Sequence, residues 1–128
     1  MKLLDDVLMS KLAKKCSKNT VDLYSKIHRM IIGLSPRNVN YDIFPIYITY
    51  YNIKADKVFA LIYLNKDYLD VGVSLGKKHK YTEAKSAKYM KYPGITKYIR
   101  IKTSRNIKNS TKEILKDSYS IIDSSEDD

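Results

Sequence analysis

Between Lys77 and Lys108 the chain sets Lys77, Lys78, Lys80, Lys85, Lys88, Lys91, Lys97, Arg100, Lys102, Arg105 and Lys108 among Tyr81, Tyr89, Tyr92 and Tyr98. Cations lining a groove neutralise phosphates, and tyrosines between them can stack on exposed bases. If Tyr98, Arg100 and Lys102 alternate onto one face of a strand, they form a ready platform. The residues expected to contact a polyanion are Lys77, Lys78, Lys80, Tyr81, Lys91, Tyr92, Lys97, Tyr98, Arg100, Lys102 and Arg105. The competing reading is a solvated, lysine-rich surface, because the whole chain favours Lys, Ile and Tyr.

Other candidates for chemistry are weaker. Asp70 with Glu83 and Lys85 could be bent into a restriction-type nuclease site, two carboxylates holding Mg²⁺ and a lysine orienting the nucleophile. Glu83 and Lys85 lie in a polar segment, however, and not in a buried strand. Gly72 to Lys78 is one residue short of a phosphate loop and has no Ser or Thr after its lysine. His28 borders an apolar helix stripe and reads as a boundary residue. His79 sits among lysines that oppose metal binding there. Cys16 reads as a small buried hydrophobe. No cluster has metal-ligand spacing, so the expectation is a non-enzymatic chain without metal or cofactor.

A chain of 128 residues with formal net charge +10 fits one domain. The charge is unevenly placed. Residues 77–116 carry 13 Lys and Arg against 2 Asp and Glu, whereas 117–128 carry 5 acids and no base. One cysteine rules out an intramolecular disulfide. The acidic start is unlike a signal peptide, and no apolar run approaches the roughly 18–20 residues of a membrane span. The expected setting is the cytoplasm, with no membrane partner.

The elements that must position these groups follow from periodicity. Leu4, Leu8, Leu12 and Cys16 recur at helical spacing, and Val21, Tyr24, Ile27, Ile31 and Leu34 stripe a second helix, capped by Asn19 or Thr20 and stopped at Gly33. Residues 46–51 and 57–64 read as strands, the second apolar on both faces. Residues 68–75 alternate, Leu69, Val71, Val73 and Leu75 inward and Tyr68, Asp70, Gly72 and Ser74 outward. Residues 76–96 read as irregular, with a helical turn or two near 83–90. A strand over 97–102 follows, and Ser110 with Glu113 forms a capping box that opens the last helix. The order ααβββ-loop-βα predicts an α+β fold, a mostly antiparallel sheet of about four strands with two N-terminal helices and a C-terminal helix. Residues 1–122 should be one domain and 123–128 a disordered acidic tail.

The run Tyr92-Pro93-Gly94-Ile95-Thr96-Lys97-Tyr98-Ile99-Arg100-Ile101-Lys102, the closing helix ending Asp117-Ser118-Tyr119, and the hairpin Val58 to Leu64 with Tyr68 to Val73 resemble the YdhG-like domains and the related "predicted transport protein" group over residues 20–122. The resemblance implies a compact α+β fold with a bent antiparallel sheet. Some relatives are described as frataxin-like iron chaperones and others occur beside restriction-type modules. The iron role needs an acidic surface, and here dense acids occur only at the end. The functional expectation is therefore a non-catalytic module that binds a polyanion such as nucleic acid through 77–108. The alternative is a protein-interaction or accessory domain with the same block as solvated surface.

Overall fold

The backbone of residues 6–125 and the side chains of 6–121 are described by a computed structural model. Helix α1 (Asp6–Lys15) buries Leu8 and Leu12 and is followed by buried Cys16. Leu4, expected on the same stripe, lies outside the described residues. Helix α2 (Lys18–Gly33) begins two or three residues earlier than the Asn19 or Thr20 cap predicts. Ser17 is the cap, its hydroxyl accepting from the Thr20 N–H at 3.3 Å. Its own N–H donates to the Lys66 carbonyl at 2.8 Å, which ties the helix corner to a strand turn.

The sheet is α+β as expected but has six strands, all antiparallel: β1 (Val39–Ile43), β2 (Tyr47–Asn52), β3 (Lys57–Leu64), β4 (Leu69–Val73), β5 (Lys85–Ser86) and β6 (Lys97–Ile101), in the order β1-β2-β3-β4-β6-β5. The β3–β4 hairpin pairs Ala60 with Val73 and Leu64 with Leu69. Helix α3 (Asn109–Ser125) closes the chain. It runs past Ile122 through the start of the expected tail, whose residues 126–128 lie outside the described ones.

Ile48, Tyr50, Ala60, Ile62, Leu69, Val71, Ile99 and Ile101 turn to one face and pack under the helices in a single core. A register shift between Tyr50 and Tyr51 lets β3 turn both Phe59 and Ala60 toward this core. Ser118 of α3 locks onto that irregularity. Its hydroxyl donates to the Phe59 carbonyl and accepts the Ser74 N–H at 2.8 Å. His28 is not a boundary residue. It is 1% exposed, and its Nδ1 lies 2.8 Å from the Tyr50 hydroxyl, which also bonds Tyr24. Buried polar atoms are retained where partners of this kind exist.

The predicted box at Ser110 does not form: the helix already begins at Asn109, which puts Ser110 inside its first turn, and the Ser110 hydroxyl donates to Glu83. Thr111 serves the helix start, accepting the Lys108 N–H at 2.9 Å. A reciprocal box does exist, between Thr103 and Asn106, on the 3-10 turn Ser104–Asn106. Among the described residues no helix is long and apolar enough to cross a membrane.

Candidate nucleic-acid interface

The face of the sheet away from the helices, toward which the alternation of β4 turns Asp70, Gly72 and Ser74, is covered. Residues 87–96 lie across it as a strap, which buries Ala87, Met90 and Ile95 on Leu61 of β3. The strap is stitched at its end. Thr96 N–H donates to the Val73 carbonyl at 2.9 Å, and Ser74 Oγ donates to the Gly94 carbonyl at 2.7 Å. It turns sharply at Lys91 and Gly94, with φ of 50° and 87°. At Gly72 of β4 it approaches so closely that an added Cβ would sit 2.8 Å from both Met90 Sδ and Ile95 Cγ2.

Asp70, Gly72 and Ser74 are therefore buried, contrary to the outward reading of β4. Alternation reports which residues share a face, and here the polar face acquires a second layer. Asp70, 1% exposed, is paired across the ladder with Arg100 of β6. Arg100 Nε and Nη2 donate to the two carboxylate oxygens at 2.8 and 3.0 Å, and the Tyr89 hydroxyl donates to the second of them. These charge-assisted bonds offset the cost of burying the carboxylate. Burial, then the Asp70 hydrogen bond, pushes the Tyr89 hydroxyl well above its ordinary range. Its own hydrogen bonds to Asp70 raise the Arg100 guanidinium. Arg100 also lies 4.2 Å above the Tyr68 ring, a cation–π contact.

Around this ion pair runs a chain of rings across the strands. Phe44 meets Tyr47 at 5.3 Å, Tyr47 meets Tyr63 at 5.3 Å, Tyr63 meets Tyr89 at 5.6 Å and Tyr89 meets Tyr98 at 5.4 Å. Phe44 is 40% and Tyr89 47% exposed, so the chain surfaces at the β1–β2 turn and on the strap.

The expected contact residues divide between the two sides of the sheet. Lys91, Tyr92, Tyr98 and Arg100 belong to the strap side, with Tyr92 half-buried against Tyr47 and Tyr98 half-buried between Tyr89 and Arg100. Lys102 and Arg105 are exposed just beyond β6, and Lys77 and Lys78 are exposed on the loop after β4. Lys97 is half-buried and pairs with Val73, which places it on the helix-facing side with Ile99. Lys80 and Tyr81 stand beside Glu113, Lys116 and Asp117 of α3. Tyr81 is buried, 7% exposed, and its hydroxyl donates to Asp117 at 2.5 Å. That bond, with burial, pushes its pKa up to about 12. His79 Nδ1 accepts the Tyr81 N–H at 3.1 Å. Of the eleven block cations only Arg100 has a carboxylate within 4.0 Å among the described residues.

Tyr89, absent from the expected contact set, is the most exposed ring of the face. The spacing of Ala87, Met90 and Ile95 carried the signal, since burying those three leaves Tyr89 outside. The carboxylates weighed as a nuclease pair have partners of their own. Asp70 is held by Arg100 and Tyr89, and Glu83 accepts from Ser110, a bond that lowers its pKa. Among the described residues no three of His, Cys, Asp and Glu are grouped so as to hold a metal ion. Compared with protein-family models, curated proteins and solved structures, the chain finds no match.

Proposed function

We propose that the protein is a non-catalytic binding module that contacts a polyanion, foremost nucleic acid, with the basic residues of the strap, β6 and the flanking loops. The observation that carries this is a set of exposed cations, Lys77, Lys78, Lys85, Lys88, Lys91, Lys102, Arg105 and Lys108, with no carboxylate within 4.0 Å among the described residues. Cations without ion-pair partners keep a positive potential over the surface, and an external polyanion drawn to it releases its own counterions. The engagement of Asp70 and Glu83 in structural bonds supports the non-catalytic part.

The test is fluorescence anisotropy with duplex DNA, single-stranded oligomers and heparin over a salt series. The logarithm of affinity should fall linearly with log salt, by about 0.7–0.9 per phosphate neutralised. Replacing Lys88, Lys91 and Lys102 with Gln should flatten the slope by about 2–3 units. These three leave the Asp70–Arg100 pair untouched. Absence of binding at low salt to every polyanion, or a slope unmoved by the triple replacement, refutes the proposal. The second reading, a protein-interaction domain, is favoured by one feature, the exposed Phe44 and Ile46 on either side of Pro45.

A further inference from the structure

We infer that the strap face takes a single-stranded polynucleotide, with Tyr89 as the position on which a base stacks and Arg100 Nη1 as the adjacent phosphate donor. The inference rests on the polyanion reading and narrows it.

Tyr89 combines exposure with fixity. The residue is 47% exposed, yet its hydroxyl is tied to buried Asp70 and its ring lies T-shaped against Tyr63 and Tyr98, at interplanar angles of 73° and 89°. A ring already held in place loses little further freedom when a base covers it. Lys88 and Lys91 flank it on the strap, and Lys85 pairs with Tyr98 across β5 and β6, so cations surround the ring. Arg100 spends Nε and Nη2 on Asp70, and no hydrogen bond among the described residues uses Nη1. A guanidinium fixed in plane by a carboxylate, and stacked on Tyr68, presents that remaining edge in one orientation. Rings favour a single strand over a duplex because paired bases keep their faces stacked on one another. Aromatic stacking is also tolerant of base identity.

The experiment compares a 15-nucleotide thymidine oligomer, its uridine counterpart, an abasic 15-mer and a duplex of equal length, on wild type, Tyr89→Leu and Tyr89→Phe. The expected result is that both pyrimidine oligomers bind more tightly than the abasic chain and the duplex. Tyr89→Leu should lose about 5- to 150-fold on the pyrimidine oligomers, and Tyr89→Phe, which keeps the π face, should recover most of that loss. The salt slope should be the same in all three proteins, since no cation is removed. Equal binding of abasic and thymidine oligomers by wild type overturns the stacking inference while leaving the polyanion reading standing, and this comparison needs no variant. A folded Tyr89→Leu that binds thymidine oligomers like wild type overturns it as well. If no oligomer or duplex binds at low salt, the polyanion reading itself fails.

Discussion

Gly72→Ala puts a methyl group where the strap meets the sheet. Its Cβ would lie 2.8 Å from Ile95 Cγ2 and Met90 Sδ, and 3.5 Å from Leu61 Cδ2. Carbon–carbon contacts relax near 3.5–4.0 Å, so the neighbours must yield by roughly 0.7 Å or more. Met90 is flexible enough to swing, but Ile95 is β-branched and stiff at χ1, and Leu61 blocks the third side. Overpacking of this kind costs about 1–3 kcal/mol. Against it, alanine recovers about 0.5–1 kcal/mol of backbone entropy relative to glycine. The net expectation is a loss of up to about 2.5 kcal/mol, read as a lower urea midpoint at unchanged m-value. Met90→Ala alone should cost about 2–5 kcal/mol by opening a cavity. Combined, the new methyl group occupies part of that cavity, so the double variant should be more stable than the sum by at least about 0.5 kcal/mol. A stabilised Gly72→Ala, or additivity of the pair, would refute the packing of the strap on β4.

The other perturbations act on the same face or its edges. Asp70→Asn should cost about 1.5–3 kcal/mol in denaturant unfolding; the figure stays below that of a fully buried broken pair because the Arg100 side chain is 38% exposed. It should also lower the Tyr89 titration toward the ordinary tyrosine range, measured as the wild-type minus variant difference in ultraviolet tyrosinate absorbance. Tyr81→Phe removes the bond to Asp117. The folded Tyr81 pKa of about 12 exceeds the unfolded value of about 10, so its stabilisation is complete below the unfolded value and is lost as pH rises through the folded one. The stability gap between wild type and Tyr81→Phe should thus hold constant below about pH 10 and narrow toward pH 12. A gap that widened there would contradict the assignment.

The parts of the fold legible in sequence were those decided by local periodicity. Leu69, Val71 and Val73 at period two, and Val21, Tyr24, Ile27 and Ile31 at helical spacing, reported faces that do pack on the core. The sequence was silent where a residue's partner is distant along the chain. Asp70 reads as solvated until Arg100, thirty positions on, is placed across the ladder from it. Ser110 and Glu113 satisfy the pattern of a capping box, but the helix already begins at Asn109 and the Ser110 hydroxyl donates to Glu83. β1, with Asn40 and Asp42 among its five residues, lacks the β-branched run that marks β2 and forms by pairing with it. The strap reads as irregular in sequence because its buried residues are few and unevenly spaced. Their function is to cover Leu61 and Gly72, which no local pattern encodes.

Stability and binding are coupled on this face, and the coupling decides which substitutions are informative. Arg100 holds Asp70, Asp70 holds Tyr89, and Tyr89 supports the ring chain, so removing Arg100 leaves a buried carboxylate short of two donors and loosens the proposed stacking residue. A loss of nucleic-acid binding in Arg100→Gln would therefore mix a lost phosphate contact with a displaced ring. Lys88 and Lys91 are free of this ambiguity. Both are exposed on the same strap, neither has a carboxylate within 4.0 Å among the described residues, and both flank Tyr89. Their replacement should change the salt slope without moving the urea midpoint, whereas Gly72→Ala should move the midpoint and weaken single-strand binding without changing the slope.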